Sequence, residues 1–164
     1  MKVLGITGWS GSGKTTLVTR LLPDLAARGL IISTIKHAHH DFDVDTPGKD
    51  SYEHRAAGAT EVIVSSARRW ALMHELRDTA EPTLDELLNH MSPVDLVLVE
   101  GFKREGHEKI EVRRAQNERP ALYLDDEQVV AIASDAPLTD AGRPVLDLDD
   151  TRAIADFIVG HCGL

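Results

Sequence analysis

The chain has 164 residues, 42% hydrophobic and 27% charged, with a formal charge of −9 and one cysteine, Cys162. That is the length and balance of a single globular domain, and the acidity argues against nucleic-acid binding, which calls for a basic surface. One cysteine permits no intrachain disulfide, as in a reducing cytoplasm. No run reaches the roughly 18 apolar residues of a membrane span, and the glycines at 8–13 break the N-terminal apolar run too early for a signal peptide.

Residues 2–7 (KVLGIT) read as a short buried strand. They lead into Gly8-Trp9-Ser10-Gly11-Ser12-Gly13-Lys14-Thr15-Thr16, a complete G-x-x-x-x-G-K-[ST] phosphate-binding loop. Its glycines allow tight turns that bring backbone N–H groups against phosphate oxygens, which makes Gly8, Ser10, Gly11, Ser12, Gly13, Lys14, Thr15 and Thr16 the expected nucleotide contacts. Lys14 is expected on the β/γ-phosphates and the Thr15 hydroxyl on Mg²⁺. The predicted helix over 14–28 starts inside the motif, so its positive dipole end faces the same phosphates. Leu17, Leu21, Leu22 and Leu25 share one of its faces, Gly29 ends it, and Pro23 predicts a kink or break.

Residues 31–36 (IISTIK) form a second strand, parallel to the first across a right-handed crossover. A long polar loop fills 37–50, a length that points to function, and a short helix over 51–57 is capped by Asp50 or Ser51. Residues 61–66 and 70–76 form a hairpin, and 83–91 a helix with a Thr83–Glu86 capping box. Strands follow at 94–99 (VDLVLV), 109–113 (half-exposed by its alternation), 121–124 and 129–134, and a last helix spans 150–159. This alternation predicts an α/β, three-layer domain covering 1–164, its mostly parallel central sheet flanked by helices and made mixed by the hairpin.

Ligands of a parallel sheet sit outside the carboxyl ends of its strands. Glu100, at such an end, is the candidate metal acid beside Thr15, the alternative being a strand-end charge facing water. Asp95 lies at the wrong end of the same strand, about 16 Å away at 3.3 Å per residue. Asp41, Asp43 and Asp45 in the long loop can approach the γ-phosphate to ligate Mg²⁺ or orient water, with Lys49 offsetting charge; a solvated acidic loop is the alternative. Asp45 joins Lys14 as a candidate catalytic residue. His37, His39 and His40 invite a metal reading but lack partners at zinc spacing. Ser134-Asp135 ends a strand on the ligand edge, where a carboxylate can accept guanine N1–H and N2–H₂; no N-K-x-D signature accompanies it, and a surface-loop Asp is the alternative. Lys103 and Arg104 can reach phosphate or an acidic partner. Trp70, Leu72 and Met73 of the hairpin offer a sheet edge for homodimerisation, or pack inward.

Four stretches together resemble the MobB family of molybdopterin-guanine dinucleotide biosynthesis adaptor proteins within the P-loop NTPase superfamily. They are the loop at 8–16; Ile35-Lys36-His37-Ala38-His39-His40 continuing through Asp43-Val44-Asp45-Thr46-Pro47-Gly48-Lys49-Asp50-Ser51; His54-Arg55-Ala56-Ala57-Gly58-Ala59; and Leu98-Val99-Glu100-Gly101-Phe102-Lys103 followed by Lys109-Ile110-Glu111-Val112. The resemblance covers about the first two-thirds of the chain. It implies a cytoplasmic, homodimeric GTP- and Mg²⁺-binding protein with weak GTPase activity, which assists a separate guanylyltransferase that attaches GMP to molybdopterin, with molybdopterin itself a candidate ligand. The competing expectations are a small-molecule P-loop kinase using ATP or GTP, and a nucleotide-gated interaction module whose 37–50 loop orders around γ-phosphate. Kinases of this size carry an Arg-rich lid; the nearest equivalent, 102–107, holds only Lys103 and Arg104.

Overall fold

The computed structural model describes residues 1–38 and 42–164. In chain order its elements are β1 (Lys2–Thr7), α1 (Lys14–Ala27), β2 (Ile32–Lys36), α2 (Asp50–Ala56), β3 (Glu61–Ser65), β4 (Trp70–His74), α3 (Leu84–Asn89), β5 (Leu96–Glu100), β6 (Lys109–Arg113), β7 (Val129–Ser134), β8 (Val145–Asp147) and α4 (Thr151–Cys162). They fall into two compact units, Met1–His37 with Met91–Leu164, and Ala38–His90. Among the described residues no helix is long and apolar enough to cross a membrane.

The first unit is built on a six-stranded sheet of order β2-β5-β1-β6-β7-β8, every pairing parallel. Parallel strands need both faces covered, which is why β5 is a continuous apolar run with Leu96 to Val99 fully buried. Alternate positions of the inner strands, Leu4, Ile6, Leu98, Ile110, Val112, Ala131 and Ala133, share one core with Leu17, Leu21 and Leu25 of α1 and Ile154, Ala155 and Ile158 of α4. This is the expected α/β fold with a parallel sheet flanked by helices. The predicted strand order of events at its start, strand, glycine loop, helix, is observed, and α1 runs through Pro23 as one helix rather than breaking there.

Three local expectations need correction. The strand at 109–113 is not half-exposed: β6 is central, between β1 and β7, and Lys109 and Glu111 are buried with their charges met. Lys109 Nζ donates to Lys103 O (3.3 Å), Glu105 O (2.8 Å) and Asp126 Oδ2 (3.0 Å). The predicted strand at 121–124 is a 3₁₀ turn, Leu122–Leu124, because the Glu111 carboxylate takes the amides of Leu122 (3.1 Å) and Tyr123 (2.8 Å) away from any ladder. The last helix extends past 159 to Cys162, where Gly163 ends it at φ 65°. The three-residue β8 carried too little pattern to be anticipated.

In the second unit, β3 and β4 pair antiparallel, with Ile63 opposite Leu72, and form a sheet of their own. The hairpin therefore does not mix the six-stranded sheet. α3 starts at the expected capping box: Thr83 N donates to Glu86 Oε2 (2.8 Å) and Glu86 N to Thr83 Oγ1 (3.3 Å). α2 instead takes Lys49 as its N-cap, since the Ser51 hydroxyl donates to Asp45 Oδ1 (2.9 Å).

Candidate functional site

The glycine loop leaves the end of β1 at the carboxyl edge of the sheet. Gly8 has φ 142°, and a Cβ there would lie 2.6 Å from Val112 O and 2.7 Å from Ser12 Oγ, so no side chain fits. Ser12 N donates to Trp9 O (3.2 Å), closing the turn. Gly13, at φ 97°, caps α1 without a side-chain hydrogen bond, which leaves first-turn N–H groups open to an anion. The Ser12 hydroxyl is buried without a hydrogen-bond partner among the described residues. Lys14 Nζ bridges Gly8 O and Trp9 O, 3.0 Å each. Burial, then the Lys103 ammonium, lower its pKa, with Glu100 acting in the opposite sense.

On the β5 flank, Thr15 Oγ1 donates to Glu100 Oε1 at 2.7 Å, and Lys36 Nζ lies 3.5 Å from the same oxygen. Strand register accounts for this: Glu100 is level with Ile6 of β1 on one side and Lys36 of β2 on the other. Asp95, before β5, accepts Ile31 N (2.8 Å) at the far end of the strand, a structural task. A hydroxyl and a carboxylate are the hard oxygen donors Mg²⁺ takes, and with the glycine cradle they fit a magnesium–phosphate ligand. Gly101 (φ 103°) lets the chain turn against His37, whose ring lies 4.6 Å from that of Phe102 at a tilt of 32°. His39, His40 and Asp41 lie outside the described residues; among the described ones no three His, Cys, Asp or Glu side chains gather to hold a metal.

The opposite flank joins the anticipated Asp135, Trp9 and Ser10 to residues that pattern reading missed, Arg114 among them. Arg114, just past β6, brings Nη2 to 3.3 Å and Nε to 3.4 Å of the place a Cβ on Gly13 would occupy. Asp135, after β7, accepts Ala115 N (2.7 Å) and pairs with Arg114 Nη1 (3.4 Å), so both its oxygens are engaged by the 114–115 turn. Trp9 donates from Nε1 to Pro120 O (2.7 Å), with Lys103 Nζ 4.4 Å and Arg119 Cζ 5.7 Å from its ring. Beside it, Ser10, Gln116, Asn117, Glu118 and Arg119 line an open depression of about 410 Å³. No local motif marks Arg114 or residues 116–119; the β1–β6–β7 pairing brings them to the loop.

Asp43 and Asp45 belong to the second unit and are organised there by Arg55. Arg55 Nη2 donates to both Asp43 oxygens (2.9 Å), Nη1 to Glu75 (2.7 Å), and Nε lies 3.4 Å from Asp45 Oδ2. Asp45 Oδ1 accepts Thr46 N and Ser51 Oγ, 2.9 Å each. Arg55 holds the Asp43 carboxyl below its usual range, while Glu75 and Asp43 raise Arg55 above its own.

Residues 3–135 match the family described as "Molybdopterin guanine dinucleotide synthesis protein B" (MobB). The molybdopterin-guanine dinucleotide biosynthesis adapter protein of Escherichia coli K12 is 49% identical over 160 residues, covering 96% of this chain and 91% of that one. Its counterpart from Haemophilus influenzae is 46% identical over 159 residues, covering 95% and 86%. The crystal structure of Bacillus subtilis MobB superposes with a TM-score of 0.76 at 25% identity, over 98% of this chain and 97% of that one.

Proposed function

The chain belongs to the MobB family, and on that premise we propose that it is a cytoplasmic GTP-binding adaptor for the guanylyltransferase that attaches GMP to molybdopterin. The observation that carries this reading is the 2.7 Å contact of Thr15 with Glu100 beside a glycine loop whose helix lacks a side-chain cap. Loop amides bind the phosphates, and Lys14 neutralises them from its place beneath the loop. Thr15 and Glu100 would hold Mg²⁺, which would neutralise phosphate charge when bound. Asp45, the carboxylate expected to orient water, is committed to Thr46, Ser51 and Arg55, which supports slow rather than efficient hydrolysis.

Homodimerisation is the second part of the reading. Ile63 and Trp70 are 65% and 68% exposed, and Leu72 pairs across from Ile63 on the same hairpin face. An apolar face on a two-stranded sheet is a surface that a second copy covers.

Calorimetry with GTP and ATP in Mg²⁺, on the wild type and Lys14→Ala, tests the nucleotide claim. GTP is expected to bind at least about tenfold tighter than ATP, with Lys14→Ala abolishing measurable binding. Equal affinity for the two nucleotides would remove the guanine claim, and undiminished binding by the variant would remove the loop as the site. Added to a guanylyltransferase reaction, the wild type should raise GMP transfer and the variant should not.

A further inference from the structure

Strand order separates two flanks of the glycine loop. β5 and β6 lie on opposite sides of β1, so Glu100 and Arg114 address the loop from opposite directions. Thr15 and Glu100 would hold Mg²⁺ on the β5 flank, where it would neutralise the outer phosphates of a triphosphate. The phosphate nearest the nucleoside would then fall toward β6 and β7. On that inner flank Arg114 stands against Gly13, its Nη2–Nε edge 3.3–3.4 Å from the Cβ position. Among the described residues only its Nη1 has a partner, Asp135 Oδ2 at 3.4 Å, so Nε and Nη2 hold no acceptor. That edge is the planar fork that matches two phosphate oxygens. Asp135 also accepts Ala115 N (2.7 Å), fixing the backbone from which Arg114 projects.

We propose that Arg114 binds the nucleoside-proximal phosphate of the bound nucleotide through Nε and Nη2, and that Asp135 is the positioning residue that aims it. The assignment rests on the nucleotide reading above and gives Asp135 a task other than contacting the base. It places one charge on each flank of the loop, magnesium outside and guanidinium inside.

The test is calorimetric binding of GTP, ATP, GDP and the two diastereomers of GDP carrying sulfur on the α-phosphate, to the wild type, Arg114→Gln, Arg114→Lys and Asp135→Asn. Arg114→Gln should weaken GTP and GDP by the same factor, about tenfold, because the lost contact is common to both. Both thio-diastereomers, each placing sulfur on one of the two oxygens the fork engages, should bind the wild type more weakly than GDP does, and those penalties should vanish in Arg114→Gln. Arg114→Lys should recover part of the affinity, and should Arg114→Gln fail to fold by circular dichroism, Arg114→Lys carries the thio comparison, with a reduced penalty expected. Asp135→Asn should weaken GTP and ATP alike, by about threefold. An undiminished thio penalty in the Arg114 variants overturns the clamp, since a mere brace of the loop would lower affinity without touching it. A loss confined to guanine nucleotides in Asp135→Asn overturns the positioning role and returns Asp135 to base reading. A wild type that binds none of the nucleotides overturns the nucleotide reading and the clamp together, a result distinct from either.

Discussion

The two units of this chain are held together by different physics. In the first, a parallel sheet buries both faces, and the core shared by β1, β5, β6, β7, α1 and α4 consists of side chains at or near zero exposure. In the second, among the described residues, only Val62 and Leu84 are buried, and Arg55 ties Asp43, Asp45 and Glu75 from two chain segments around one guanidinium. Screening by salt does not weaken apolar burial, whereas it weakens ion pairs to the extent that they reach solvent, as the Asp43 and Glu75 ends of this cluster do at 42% and 36% exposure. The unit that carries the glycine loop is therefore a rigid floor, and the unit that carries the acidic loop is ordered by charge.

The largest effect should come from cutting into the floor. Leu98 lies mid-strand in β5, fully buried, two residues before Glu100. Leu98→Ala removes apolar contacts and leaves a cavity, and should cost about 2–5 kcal/mol of unfolding free energy in urea titration. A cost under about 1 kcal/mol would mean that the sheet is less tightly packed than its burial implies.

A smaller and local effect should follow Arg55→Met. Amide exchange across 43–57 and at the β4 end is expected to accelerate by about tenfold or more, while exchange in β1, β5 and β6 stays unchanged. Raising salt to 1 M in the wild type should move exchange in the same direction. Uniform acceleration in both units would break the distinction drawn here, and none in either would mean that the guanidinium organises nothing.

What was legible in the sequence follows the same division. The glycine loop could be read because consecutive residues carry its whole geometry, and Glu100 because a strand-end rule locates it without knowledge of its neighbours. The β6 strand was misjudged because Lys109 and Glu111 look solvent-facing, and their partners, Asp126 and the Lys103, Glu105, Leu122 and Tyr123 backbones, come from separate loops. Arg114 was invisible for the same reason: its neighbour Gly13 is a hundred residues upstream. The capping box of α3 was local and was found; the N-cap of α2 was not, because Asp45, five residues before that helix, claims the Ser51 hydroxyl. Sequence pattern reports what each segment wants to bury, and it is silent on which distant charge makes burial tolerable.

The smallest effect separates the units by pH. His107 packs against β1, where a Cβ on Gly5 would lie 2.5 Å from its Nε2, and both ring nitrogens are buried without hydrogen-bond partners among the described residues. Burial first, then the Lys109 ammonium, push its pKa down to about 4 from 6.5, against a weaker upward pull from Asp126. The folded state thus favours the neutral ring, and between pH 6.5 and about 4 the unfolded chain binds the proton that the folded chain refuses. Stability contributed by the neutral ring is complete above the unfolded value and is lost as pH falls through that window, with a slope of at most about one proton per molecule. His107→Gln should flatten the urea-midpoint profile of the first unit between pH 6.5 and 4 while leaving amide exchange around Arg55 unaltered. In the second unit the sign is set by Asp43, whose carboxyl Arg55 depresses, so its contribution persists through that window and falls only as the acid range below about 4 is entered. An unchanged profile in His107→Gln would place the acid sensitivity of the floor elsewhere; a flattened one would show that a single dehydrated imidazole, wedged against the strand that feeds the glycine loop, sets it.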